Sequence, residues 1–276
     1  MRASVVVGLI IFIVLAVVGG ILTVSFIPFL DASEATADLA ITQPIPAHGA
    51  QARAQYFPPR PEDAPENIRA QVLRGRDLVL DTRRLLPSHA GNTLVCGNCH
   101  FSAGRNEGGK NDGFSLVGVA ARPPAGEAAL ELTTRIASCF RRNLNAAPPT
   151  PDSPEVLALA MYLRWISAGV PLFAPIPWLQ SAPLTSTTTP DLAVGQRTVR
   201  ETCSPCHGDH GQGTHIAPAT FGPESFTTQS QMLAPGILER FIHNNMPRGN
   251  PNLNPAVAMA AAAYLRTQSR PHAPAP

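Results

Sequence analysis

Two copies of one five-residue pattern, Cys-x-x-Cys-His, constrain this 276-residue chain more than any other feature: CGNCH at 96–100 and CSPCH at 203–207. Each fixed position has a chemical reason. The paired thiols can add as thioethers to the two vinyl groups of a haem, and the adjacent imidazole then becomes the proximal iron ligand. A Cys-x-x-Cys pair without the histidine would equally suit zinc or thiol redox chemistry. The motifs therefore assign Cys96, Cys99 and His100 to one covalently bound haem c, and Cys203, Cys206 and His207 to a second.

The surroundings of the motifs repeat as well. A helical pattern (PENIRAQVLRGRDLVLDTRRLL, 65–86) precedes the first motif and another (SPEVLALAMYLRWIS, 153–167) closes that half. TPDLAVGQRTVRET (189–202) and NPAVAMAAAAYLRTQ (254–268) frame the second. Ser153-Pro154, Thr189-Pro190 and Asn254-Pro255 each set an N-cap residue before a proline suited to the first helical position. Both closing helices carry Tyr-Leu-Arg, at 162–164 and 264–266. The expected fold is mostly α, with two tandem cytochrome c domains, at 65–179 and 191–270, joined by a linker at 180–190 and followed by a short tail at 271–276.

Ahead of these modules, residues 3–30 carry no charge between Arg2 and Asp31. That run exceeds the roughly 20 residues needed to cross a bilayer as a helix, and also the ~7–15-residue apolar region of a signal peptide. Residues 1–30 read as a transmembrane anchor, the alternative being a signal segment cleaved after the small residues at 35–37. Residues 31–64, rich in Ala and Pro, read as a tether. The expected location is the periplasmic side of a bacterial inner membrane, anchored by residues 4–30. A formal net charge of only +2 gives no reason to expect nucleic acid as a partner.

Each haem also has a second axial position. In the second half the candidates are Met232, Met246, Met259, His210, His215 and His243. Met246 is favoured because Pro247 releases the chain from helix into loop there, with His243 as the alternative. Met246 stands 39 positions after His207, and Cys139, the one cysteine outside the motifs, stands 39 after His100. In LTTRIASCFRRN (132–143), Leu132, Ile136, Cys139 and Phe140 share one helical face. Arg135 and Arg142 flank the thiol at helical spacing and favour a thiolate, the form that binds metal or attacks sulfur. The competing readings are an inert buried cysteine, or Met161 as ligand.

GNTLVCGNCHFSAG, LVGV, RIASCFRRNLN and PDSPEVLALAMYLRWIS, then CSPCHGDHGQG, FGPESF, FIHNNMPRGNP and AAYLR, together resemble the thiosulfate dehydrogenases, dihaem cytochromes that join two thiosulfates into tetrathionate. The Arg-Ile-x-x-Cys-Phe-x-Arg block is the most specific part. The resemblance implies a first haem ligated by His100 and Cys139 and acting as the active site, with Arg135 contacting the anion. It implies a second haem on His207 and Met246 that passes electrons outward to a soluble cytochrome or other redox partner. Arg142 and Arg105 are further candidates for holding the sulfur anion. Three positions depart from the family pattern. The interval before the cysteine helix (120–132) has Arg122 as its one cation, and Asn143 and Asn245 stand where relatives have Ser and, in some, Lys. The second functional class open to such a chain is a membrane-tethered dihaem electron carrier without substrate chemistry of its own.

Overall fold

The computed structural model describes residues 57–121, 131–170, 176–179, 184 and 189–275, which form helices, turns and loops with no strand among them. The longer helices are α1 (Glu66–Leu80), α2 (Leu132–Asn143), α3 (Pro154–Ile166), α4 (Leu192–Thr198), α5 (Ile237–Asn245) and α6 (Pro255–Thr267). Among the described residues no helix is long and apolar enough to cross a membrane. The expected anchor at 1–30, most of the tether and of the linker, and Arg122 lie outside the described residues.

The internal repeat is visible as one helix crossing built twice. Helix α1 buries Val72, Gly75, Leu78 and Val79 against α3. A Cβ on Gly75 would stand 2.2 Å from Ala158 O and 2.6 Å from Tyr162 Cβ, so the backbones approach to a distance only glycine permits. Helix α4 meets α6 in the same way, a Cβ on Gly195 falling 2.1 Å from Ala260 O and 2.9 Å from Tyr264 Cβ. The tyrosines of the two Tyr-Leu-Arg triplets thus mark the same place in each half. Tyr162 is fully buried and donates its hydroxyl to Ala103 O at 2.8 Å, which holds the loop just after the first motif.

The path from crossing to motif differs. In the second half α4 runs on through a wide π turn, Val199–Cys203, into the short helix Ser204–His207 that carries the motif. In the first half α1 ends sixteen residues earlier than Cys96, and two short helical turns intervene before a 3₁₀ turn at Cys96–Asn98. Ser153 and Asn254 cap α3 and α6, accepting from Val156 N and Val257 N. Thr189 does not cap α4. That helix begins two residues later, because the Asp191 carboxylate accepts from both Ala193 N (2.8 Å) and Val194 N (3.2 Å).

Residues at either end of the modules pack onto them. Pro61 and Ala64, in the stretch expected as tether, are buried, and Trp165 Nε1 donates to Arg60 O at 2.9 Å. The two halves meet along a seam of small polar side chains. Asn92 donates to Ser225 O, Thr227 Oγ1 to Arg142 O, and Ser230 Oγ to Asn143 Oδ1. Phe241 of the second half stacks against Phe114 and Phe101 of the first, at 5.1 and 5.9 Å between centroids.

Candidate functional site

Both motif histidines are oriented by a backbone carbonyl. His100 Nδ1 lies 2.9 Å from Phe114 O, and His207 Nδ1 lies 2.7 Å from Pro218 O. A ring that donates Nδ1–H to a carbonyl presents a bare Nε2 lone pair, the tautomer a metal requires. Burial lowers the pKa of both rings, against the opposing pull of those hydrogen bonds, and so favours the neutral form.

Beside His207 lies a cavity of about 380 Å³ lined by Cys203, Cys206, His207, Met246 and Phe226. That volume falls in the ~300–1,000 Å³ range of cofactor pockets. Its thiols, its imidazole and its apolar walls are the donor set and surroundings of haem c. Met246 caps the C-terminal end of α5 in extended conformation, the release expected of a residue before proline. Met232 lies on the same cavity and is buried. His210 and His215 are exposed, and His243 Nδ1 is engaged with Leu253 O at 2.8 Å. Met259 lies against Thr189 and Val194, beside a different pocket. Leu94, Cys99 and Phe101 line the cavity too, so it extends from the second motif to the first.

At the first motif, Thr82 Oγ1 donates to Cys96 Sγ at 3.2 Å and Cys96 N donates to Thr82 Oγ1. Burial pushes the Cys96 thiol up to about 11 and the Cys99 thiol up to about 12, and a negative charge on Cys139 contributes to both shifts. The fold therefore brings Cys139 within electrostatic reach of the first motif. On α2 the core-facing residues are Ala137 and Phe140, whereas Cys139 is exposed. Leu132 and Ile136 of the expected face are half-buried against the core beside Phe140. Crowding by neighbouring atoms still pushes the Cys139 thiol up, opposed first by Arg142 and then by Arg135. Arg142 lies within hydrogen-bond reach of the thiol and also donates Nη2 to Ser138 Oγ at 3.1 Å. Arg105 is turned elsewhere, donating to Pro58 O at 3.0 Å, and its charge acts on Glu62 and Tyr162. Met161 lies on α3, half-buried against the core.

The chain as a whole has relatives among known proteins. The chain is 32% identical over 211 residues to the thiosulfate dehydrogenase of Allochromatium vinosum, covering 72% of this chain and 78% of that one. The chain belongs to the thiosulfate dehydrogenase family. A second member, from Stutzerimonas stutzeri, is 30% identical over 239 residues, or 82% of this chain and 76% of its own length. The thiosulfate dehydrogenase (TsdBA) structure from Marichromatium purpuratum superposes with a TM-score of 0.73 at 26% identity. It covers 84% of this chain, which spans about half (53%) of that longer one. Residues 190–265 also match the family described as cytochrome c oxidase, cbb3-type, subunit III. That match surrounds the second motif and makes this part of the chain a cytochrome c-type, haem c-binding unit.

Two features of the site were not legible in the motifs. Asn245, adjacent to Met246, reaches into the first half, and Arg270 lines the second cavity. Neither sits in a spacing pattern that would single it out.

Proposed function

We propose that this chain is a dihaem c-type cytochrome, built of two tandem cytochrome c domains, that oxidises thiosulfate to tetrathionate at the first motif. The observation behind the reading is that the charge of Cys139 acts on Cys96 and Cys99, while Arg142 and Arg135 act on Cys139. Haem c, when bound, is a one-electron acceptor, so two such groups match the two electrons released when two thiosulfates join. His100 and Cys139 are suited to hold the first iron, and His207 with Met246 the second.

The residues supply the rest. Arg135 and Arg142 offset the charge of the incoming dianion and favour the thiolate of Cys139. A sulfur–sulfur bond between the Cys139 thiolate and the terminal sulfur of thiosulfate forms with loss of two electrons, giving a cysteine S-thiosulfonate. Attack by a second thiosulfate on its sulfane sulfur breaks that bond, releases tetrathionate and restores the thiolate with no further electron change. The cavity that extends from the second motif to Cys99 supports passage of electrons to the second site and on to a redox partner. The uncharged stretch 3–30 supports anchorage at the periplasmic face of the inner membrane.

The test is turnover of thiosulfate by the purified holoprotein with an artificial electron acceptor. Tetrathionate should form in wild type and be lost in Cys139→Ala. Equal turnover in the variant would remove Cys139 from catalysis, and a wild type inactive on thiosulfate would leave the electron-carrier reading in its place.

A further inference from the structure

Two arginines, Arg248 and Arg270, line the cavity beside His207, and Arg270 is the more deeply engaged with the fold. Arg270 Nη1 donates to Thr220 O at 2.7 Å and to Ser225 Oγ at 3.2 Å, and Nη2 donates to Leu265 O at 3.0 Å. Its Nε is buried and has no hydrogen-bond partner. The guanidinium carbon lies 4.2 Å from the centroid of Phe226, which also lines the cavity. Burial lowers its pKa to about 10, with no charged neighbour contributing. Among the described residues no carboxylate forms an ion pair with it. A guanidinium withdrawn from water with no acid beside it is costly unless a nearby anion offsets its charge.

The placement is built rather than incidental. Gly222 N donates to Ser269 O at 2.8 Å and Thr228 N donates to Pro271 O at 2.9 Å. The residues on either side of Arg270 are thereby clamped to the 222–228 loop. Thr228 Oγ1 adds a contact to His272 Nδ1 at 3.2 Å. Residues 269–272, beyond the last helix, are thus held to the core, which fixes the direction of the Arg270 side chain.

We infer that Arg270 is the counter-cation for a propionate carboxylate of the haem in this cavity, and that residues 269–272 belong to the cofactor site. The inference rests on the reading that Cys203, Cys206 and His207 hold a haem c. That group brings carboxylates into a cavity whose walls are largely apolar, among them Met232, Leu238 and Ile242, with Arg248 as a second cation. Arg270 also has an electronic role. A fixed positive charge beside the propionate cancels negative charge that would otherwise stabilise the more positive, oxidised iron. Arg270 is a positioning and tuning residue in this sense and does not touch thiosulfate.

The test uses full-length holoprotein carrying Arg270→Gln or Arg270→Lys. Haem is counted on denatured protein, potentials come from a spectroelectrochemical titration, and the propionate bending mode is read by resonance Raman. In Arg270→Gln the haem on Cys203 and Cys206 should shift to lower potential while the other haem keeps its own. In Arg270→Lys the charge remains, so the potential should stay near wild type while the propionate mode moves. Two haems with potentials and propionate modes unchanged in both variants would overturn the role of Arg270 alone. A wild type with no haem on Cys203 and Cys206 would overturn the parent reading as well, so the two failures are distinct.

Discussion

Asn245 Oδ1 accepts a hydrogen bond from Gly113 N at 2.7 Å, spanning 132 positions and joining the two halves of the chain. The same buried amide donates Nδ2 to Phe241 O at 3.0 Å. Gly113 precedes Phe114, whose carbonyl orients His100, and Asn245 precedes Met246. One side chain therefore ties the support of the proximal histidine in one half to the approach of the methionine in the other. Asn245→Ala should leave a buried N–H unmade and cost about 1–3 kcal/mol. Thermal unfolding would read this as a lower Tm, and the charge-transfer band of Met-ligated ferric haem should weaken with it. An unchanged Tm would show the clasp to be dispensable.

The two glycine crossings predict matched sensitivity. Gly75→Ala and Gly195→Ala improve helix propensity by about 1 kcal/mol, yet each new methyl would lie within 2.2 Å of a facing carbonyl oxygen. Overpacking costs typically about 1–3 kcal/mol, and more where backbone must move. Both variants should unfold at lower temperature than wild type. A rise in Tm for either would mean that the helices separate freely there.

Arg135 and Arg142 act on the same thiol from one helix. Arg142→Gln spares the Arg142 carbonyl, which accepts from Thr227 N and Oγ1, so the seam should survive. Loss of one charge-assisted contact to a dianion, about 1.5–3 kcal/mol, corresponds to a rise in KM for thiosulfate of about tenfold or more. Steady-state kinetics at two salt concentrations would check it, since the charge contribution should shrink as salt screens it. A KM equal to wild type would place the anion elsewhere.

Glu239, in the first turn of α5, pairs bidentately with Arg266 of α6, at 2.5 and 2.7 Å. Burial pushes the Glu239 carboxyl up, but the Arg266 hydrogen bonds and charge outweigh it, and the net pKa lies below the ordinary 4.5. A carboxyl lowered on folding contributes stability that is present above its unfolded pKa and lost as pH falls through the folded one. The acid limb of unfolding should therefore steepen below about pH 4.5. Glu239→Gln should lose about 2 kcal/mol at neutral pH and flatten that limb. Chemical denaturation at a series of pH values would show both.

The two Cys-x-x-Cys-His motifs were legible because their chemistry is local: two thiols and an imidazole within five residues. The repeat was legible through Tyr-Leu-Arg, but its structural hinge was not, since Gly75 and Gly195 read as weak points in a helix until the facing carbonyls are known. The start of α4 was misplaced because Thr189-Pro190 resembles a cap, while Asp191 offers a carboxylate with two amides in reach. The 39-residue offset singles out Cys139, whose charge acts on Cys96 and Cys99. Asn245 and Arg270 depend on partners more than forty residues away and left no pattern along the chain.

The seam between the halves has an evolutionary consequence. Its contacts run from Asn92, Thr227, Ser230 and Asn245 to specific backbone or amide groups opposite, and two of those groups, Arg142 O and Asn143 Oδ1, end the helix that bears Cys139. Two modules that share one helix crossing are thus no longer interchangeable parts. A chimera that borrowed either half from a relative would have to import this polar lock as a set, or misalign the helix that bears Cys139 while both Cys-x-x-Cys-His motifs stayed intact.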